Sequence, residues 1–174
     1  MSRWAVLPLA LLLSGCATVF LAPSQKAHFQ KASAFVDRAQ SLYRTAPIFL
    51  AVGDACRRAA ACFSGRTIML SWELLNQPAL DSVLAHELAH VILGHTGAVP
   101  QQELDANFLA VELLERVGDY SRPAAITAVF NYLASASVIT PGHLTSCAER
   151  ADLARRVAMP ELACGWKAPL TAKD

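Results

Sequence analysis

The sequence predicts an α+β protein that is mostly helical and carries a small β-sheet. Two kinds of segment support this class: long stretches with apolar residues on one helical face, and two short apolar runs bounded by Gly and Pro. The chain of 174 residues is 54% hydrophobic and rich in Ala and Leu, a composition typical of helical proteins with a substantial core. This length favours one structural domain.

The elements are predicted from local signals in chain order. Pro and Gly residues mark most of their ends, and Ser24 is expected to cap the first helix. We expect a helix from Ser24 to about Arg44, a strand from Pro47 to Gly53, a loop or helical turn at 56–62, a second strand at 66–70, and four more helices over about 78–94, 101–117, 123–138 and 143–157. All of them belong to the single domain predicted over residues 25–174.

The N-terminal residues 1–15 have the organisation of a secretory signal peptide. Arg3 precedes a nine-residue apolar run that is too short to span a bilayer. The run ends in Leu-Ser-Gly-Cys, which resembles the bacterial lipobox and implies lipidation of Cys16. The alternative is an ordinary signal peptide or an uncleaved anchor with a chance Cys. We therefore expect a lipidated tether over 16–24, anchored at the periplasmic face of the cell envelope. Ala17, where an Asp would favour the inner membrane, favours the outer membrane.

Five cysteines are consistent with an oxidising compartment. If Cys16 carries lipid, four remain, and three connectivities are possible. We favour Cys56–Cys62 with Cys147–Cys164, because each pair closes a short loop. Free buried thiols are the alternative, and the spacings are too wide for a cysteine-based zinc knuckle.

The segment 83–95, Val-Leu-Ala-His-Glu-Leu-Ala-His-Val-Ile-Leu-Gly-His, carries the strongest chemical signal. His86 and His90 are four residues apart, so they share one helical face, where two imidazoles can bind one ion. Glu87 lies about 100° round the helix and is better placed to reach a water at the metal than to bind the metal. The flanking residues are apolar, so this polar cluster is expected to be buried, which is costly unless its members are paired or metal-bound.

A catalytic zinc site requires a third protein ligand, and the next helix offers one. Glu103 lies thirteen residues after His90, at the start of that helix. A short connector joins the two helices, so they can pack side by side. Asn107 shares a face with Glu103 and can orient a histidine through its side-chain oxygen. The competing acidic residues on this helix, which lie off that face or further along it, are Asp105, Glu112 and Glu115.

These motifs resemble those of the gluzincin zinc metallopeptidases, in which His-Glu-x-x-His is followed by a second helix with Glu-x-x-Ala-Asn or a close variant. The CAAX prenyl protease and HtpX-like branch is the more similar of two, since a strand and short helix precede the histidine motif there as well. The second branch, which is ImmA/IrrE-like, has a residue pattern that matches residues 103–114 more closely. The resemblance covers 65–117 well and 143–150 weakly. It departs from the family in the short gap before Glu103 and in Asn107, where the first branch has Asp.

The resemblance implies a zincin-like fold and a zinc-dependent endopeptidase that acts on polypeptide substrates, in a role such as envelope protein quality control. It implies that Zn²⁺ is held by His86, His90 and Glu103, and that Glu87 is the catalytic base. His143 would bind the oxyanion or, alternatively, would only cap the last helix. The strand 66–70 would be the sheet edge that receives substrate.

Two further interpretations stay open. The protein could be a latent or inactive zinc-binding lipoprotein that binds other envelope proteins, or a helical lipoprotein with a metal-free His–Glu cluster. The net charge of +1 gives no indication of a nucleic-acid partner. His95 is expected to be a helix cap or a surface residue rather than a ligand. The oligomeric state is not indicated.

Overall fold

The computed structural model describes residues 21–54, 56, 59–97, 99–135, 146–162 and 164. The predicted signal peptide, Cys16 and His143 lie outside the described residues. The described part confirms the α+β class, with a mostly helical fold and one small sheet. In chain order its elements are α1 (Pro23–Tyr43), β1 (Phe49–Val52), β2 (Ala61–Ser64), β3 (Thr67–Leu70), α2 (Leu80–Leu93), α3 (Pro100–Arg116), α4 (Arg122–Ser135) and α5 (Ser146–Arg156).

The first helix starts earlier than the sequence signals indicate. Pro23 occupies the first helical turn, so the expectation that Ser24 is the cap is wrong. The backbone N–H of Ala22 instead donates to the side-chain oxygen of Gln25 at 3.1 Å, which satisfies one of the donors that a helix start leaves free. Proline is well suited to the first turn because it lacks an N–H and its φ is already helical.

The three strands form one sheet in the order β1-β3-β2. β1 runs parallel to β3, and β2 pairs antiparallel to β3 through a tight turn at Gly65, whose φ of 56° favours glycine. Two expectations are therefore wrong. The segment 56–62 is not wholly loop, because Ala61 and Cys62 belong to β2. The segment 66–70 is not an edge, because β3 lies in the centre and pairs on both sides.

The inner face of the sheet packs on α2. Ile68 and Leu70 alternate along β3 and are fully buried, and they pair with Phe63 and Ala61 of β2 on the same face. The buried apolar residues of the described chain form one continuous cluster that includes residues from all five helices, β2 and β3, and the partly buried Leu50 and Val52 of β1 pack against it. This arrangement places one face of the sheet directly against the helix that carries both histidines.

α2 is the central helix of the fold and contacts α1, α3, α4, β2 and β3. Every residue from Leu80 to Val91 is buried except Asp81. The Asp81 carboxylate accepts a 2.8 Å hydrogen bond from Lys31 of α1 and a 2.9 Å hydrogen bond from Tyr120, which follows α3. The start of α2 is therefore tied to its neighbours on two sides.

Gly94 ends α2 with a left-handed φ of 69°, and the chain turns towards α3, which begins at Pro100. Both disulfides that we favoured are present: Cys56–Cys62 ties the preceding loop to β2, and Cys147–Cys164 ties the first turn of α5 to the segment beyond it. Among the described residues, no helix is both long and apolar enough to cross a bilayer.

Substitution of Leu84 by Ala should reveal how strongly the packing of α2 stabilises the fold. Leu84 is fully buried, so its loss leaves a cavity and should lower the free energy of unfolding by about 2–5 kcal/mol. Leu93→Ala on the same helix is the matched control, because that side chain is 44% exposed and should change the value by about 0.5 kcal/mol or less. Urea unfolding in the presence of a chelator measures both. Equal losses would contradict the central position of α2.

Candidate metal centre

α2 and α3 bring three potential metal ligands together in the core. The Nε2 atoms of His86 and His90 are 3.1 Å apart, and Oε2 of Glu103 lies 3.2 Å from the first and 3.4 Å from the second. Each of the three residues is only 2% exposed. The predicted group is thus assembled as one compact triangle, and such a group can hold a metal ion.

The dimensions of the triangle fit a four-coordinate ion. Nitrogen and oxygen ligands lie about 2.0–2.2 Å from a tetrahedral zinc ion, so the ligand atoms are about 3.3–3.6 Å from one another. The three observed separations, 3.1, 3.2 and 3.4 Å, fall at or just below that range. Small side-chain adjustments would bring all three atoms to bonding distance of one ion.

His86 is held by side chains of two other helices. Its Nδ1 is 2.9 Å from Oδ1 of Asn107 on α3. An amide oxygen can only accept, so Nδ1 carries the proton of this hydrogen bond and Nε2 of the neutral ring is the atom free to bind a metal. The ring of Tyr132 on α4 lies 5.5 Å from the His86 ring. Asn107 therefore occupies the orienting position that we predicted for it.

His90 is held by His95 and by the sheet. The two Nδ1 atoms are 2.9 Å apart, and the ring of Phe63 on β2 stacks on His90 at 4.8 Å with an interplanar angle of 13°. Burial lowers the pKa of His95, which favours a neutral ring that can accept the Nδ1 proton of His90. As expected, His95 caps α2, through its backbone N–H to His90, but its half-buried side chain also orients a ligand.

The charges of the triangle are coupled. Burial opposes the charged form of His86, but the hydrogen bond to Glu103 and the nearby Glu87 outweigh it, and the net pKa of His86 is raised. Burial and the His86 charge lower the pKa of His90. Burial would raise the pKa of Glu103, yet its hydrogen bonds to both histidines hold it well below its usual range. The cluster therefore favours an ionised Glu103 beside one positive charge. Either a proton on the histidines or a metal ion can supply that charge.

Glu87 lies beside the triangle rather than within it. It is buried, with 9% of its surface exposed, and it is close enough to His86 and to Tyr132 to raise the pKa of both groups. The main cause of the raised Tyr132 pKa is burial, followed by Glu87, Glu103 and the buried Glu149. Glu87 is therefore adjacent to the three potential metal ligands, but it is not one of them.

The competing acidic residues of α3 have other surroundings. Asp105 accepts a hydrogen bond from Arg156 at 2.8 Å, and Glu115 accepts one from Arg122 at 2.8 Å. Glu112 faces Tyr43 of α1, whose pKa is raised mainly by burial and further by this carboxylate. None of these three residues belongs to the group of potential metal ligands, in which Glu103 supplies the carboxylate.

Three contacts of the site were missed in the sequence. Phe63 follows the segment 56–62 and was assigned to no element, Tyr132 lies in a helix to which we assigned no role, and Glu149 lies in a segment where we assigned a possible role at the site only to His143. The one usable signal was Glu149, a carboxylate two residues after a cysteine expected to be constrained by a disulfide. The ring contacts that Phe63 and Tyr132 make with the histidines depend on long-range packing, which no local pattern encodes.

Comparisons with models of known protein families, with curated proteins and with solved structures find no match.

Substitution of Glu103 by Gln should abolish tight metal binding. The change keeps the shape of the side chain but removes the charge that balances the metal ion. With Zn²⁺ as the probe, we expect the dissociation constant to rise by at least about 100-fold, more than the loss of an orienting contact causes. Elemental analysis and chelator competition measure the change. Glu112→Gln on the same helix should bind like the wild type, and equal binding by the Glu103 variant would exclude this carboxylate as a ligand.

Proposed function

We propose that this protein is a zinc-dependent endopeptidase, anchored by lipid in the bacterial cell envelope and acting there in protein quality control. The observation that supports the proposal best is the buried triangle of His86, His90 and Glu103 with Glu87 directly beside it. Two imidazoles and one carboxylate are a donor set typical of catalytic zinc, which leaves the fourth position for water or substrate. The resemblance to gluzincins, above all to the CAAX protease and HtpX-like branch, points to the same chemistry.

The proposed mechanism assigns a role to each residue of the cluster. A zinc ion bound there would supply Lewis acidity, which lowers the pKa of a water and polarises a carbonyl. Glu87 accepts the proton of the attacking water and then donates it to the leaving amine. Asn107 and His95 keep the two imidazoles in the tautomer that presents Nε2 to the ion. Glu103 supplies the negative charge that holds the ion in an apolar core.

The substrate is proposed to lie along β2 rather than along β3. β3 pairs on both sides, whereas in the described part of the chain β2 pairs only with β3, so its other edge has backbone groups available to an extended peptide. β2 also contacts α2, and its Phe63 stacks on His90. A peptide added at this edge would pass close to the histidines.

The cellular setting is proposed from the N-terminal sequence. The lipobox-like segment before Cys16 and the small disulfide-stapled fold fit a lipoprotein at the periplasmic face of the outer membrane. Its substrates would be polypeptides presented in that space. Acid hydrolysis of the purified native protein, followed by mass spectrometry for fatty acids, tests the anchor, and an unmodified Cys16 in cells would contradict it.

Glu87→Gln should separate metal binding from catalysis. Glutamine has nearly the same shape but cannot take a proton, so zinc stoichiometry should remain near that of the wild type while peptide cleavage falls by about 100-fold or more. Elemental analysis and digestion of a peptide library, read by mass spectrometry, measure the two effects. Glu115→Gln, which alters an exposed ion pair on α3, is the control and should cleave normally. Undiminished cleavage by the Glu87 variant would exclude it as the base.

Backbone N-methylation of a cleaved peptide should test the β2 docking mode. A methyl group on an amide that pairs with the strand removes a hydrogen bond and obstructs strand addition, so KM should rise by about tenfold or more at alternate positions near the scissile bond. N-methylation at the intervening positions, whose amides point away from the strand, is the internal control. A uniform effect at all positions would contradict pairing with an edge strand.

A second candidate function is a latent or inactive zinc-binding lipoprotein that binds other envelope proteins. The depth of the site favours it, because all three ligands are 2% exposed and Glu87 is also buried. A substrate carbonyl would then reach the centre only after a rearrangement. Wild-type protein that binds zinc but cleaves no member of a broad peptide library would support this function over the peptidase.

A further inference from the structure

We propose that Glu149 is a positioning residue that fixes the metal-binding tautomer of His86 through Asn107. The inference rests on the metal site of the proposed function, but not on peptide hydrolysis. Glu149 belongs to α5, a helix outside the two motifs that define the site. It makes the C-terminal part of the chain a component of the metal centre.

His86, Asn107 and Glu149 form a buried chain of hydrogen bonds that leads away from the triangle. Nδ1 of His86 is 2.9 Å from Oδ1 of Asn107, and Nδ2 of Asn107 is 3.4 Å from Oε2 of Glu149. The exposed fractions of the three residues are 2%, 1% and 5%. All three side chains therefore lie within the core.

Glu149, at the outer end of this chain of hydrogen bonds, determines which group donates and which accepts in each of them. The carboxylate oxygen of Glu149 accepts from the NH₂ group of Asn107, which therefore points towards Glu149. The oxygen of Asn107 must then point towards His86, where it can only accept. His86 therefore carries its proton on Nδ1 and presents the electron pair of Nε2 to the centre of the triangle. Without Glu149, the amide could turn over and present NH₂ to the histidine, which would favour the opposite tautomer.

The position of Glu149 is itself fixed by packing and by a covalent bond. α5 packs against α3 and α4, and Leu153 and Ala154, which lie one turn further along, are buried in the core. The Cys147–Cys164 disulfide holds the first turn of the helix two residues before Glu149. Because the backbone is constrained on both sides, the carboxylate is held against Asn107 rather than free to turn to solvent.

The test is a pair of exchanges at Asn107 and Glu149. Asn107→Asp gives His86 a stronger acceptor, so without a role for Glu149 it should tighten zinc binding. With the proposed role, it places two carboxylates against each other in the core, and the zinc dissociation constant should rise by about 10–100-fold. Asn107→Asp combined with Glu149→Gln restores an NH₂ donor opposite the new carboxylate. That double variant should bind zinc within about threefold of the wild type.

The measurement is chelator competition on the full-length protein, with circular dichroism and thermal unfolding of the metal-free variants to confirm that each one folds. Asp152→Asn removes a negative charge from the same helix, at a carboxylate that pairs with Arg155 and Arg156, and it should leave zinc affinity unchanged. Zinc binding by the wild type with unchanged or tighter binding by Asn107→Asp overturns the positioning role alone. The positioning role is also overturned if the double variant does not recover the zinc affinity of the wild type, and this holds even if the single variant fails to fold. Absence of zinc binding by the wild type overturns the metal site and this role together, whereas zinc binding without peptide cleavage overturns only the peptidase.

Discussion

Two imidazole nitrogens and one carboxylate oxygen meet within 3.4 Å of one another in the buried centre of this protein. Imidazole nitrogens and a carboxylate that turn their electron pairs towards one point are stable in an apolar core when a cation, either a proton or a metal ion, lies among them. The fold provides for that cation by packing α2 and α3 side by side, with both imidazoles on the first helix and the carboxylate on the second. A bound metal ion would then link the two most extensively packed helices of the structure.

The partners of the two imidazoles extend this dependence through the rest of the fold. His86 contacts Asn107 of α3 and Tyr132 of α4, while His90 contacts His95 and the β2 residue Phe63. Each ring combines hydrogen bonds with a contact to an aromatic side chain of another element, and together they fix its tautomer and its tilt. The helices and the sheet therefore position a centre whose geometry would otherwise vary, and loosening any of these elements would disturb the ligands.

The parts of the fold that could be predicted are those with a repeating local signal. α2 and α3 carry apolar residues at helical spacing between Pro and Gly boundaries, and their predicted limits agree with the structure to within a few residues. β2 was missed because Ala61 and Cys62 have little intrinsic preference for a strand, and pairing with β3 is what makes them one. The central position of β3 was missed for the same reason: without β2, that strand had one predicted neighbour and appeared to be an edge. Ser24 failed as a cap because Pro23 starts the helix one residue earlier.

The sequence by itself determined which donor side chains can meet at the centre, because spacing along a helix is a local property. The spacing of four positions from His86 to His90 put both imidazoles on one face, and a short connector allowed Glu103 to reach them. It also favoured the cysteine pairing that the structure shows, since each disulfide closes a short loop. Only the tertiary structure decided what surrounds the ligands. Glu149 is 42 residues from Asn107 in sequence, and Phe63 reaches His90 across the sheet–helix interface, so these contacts exist only once the core has packed.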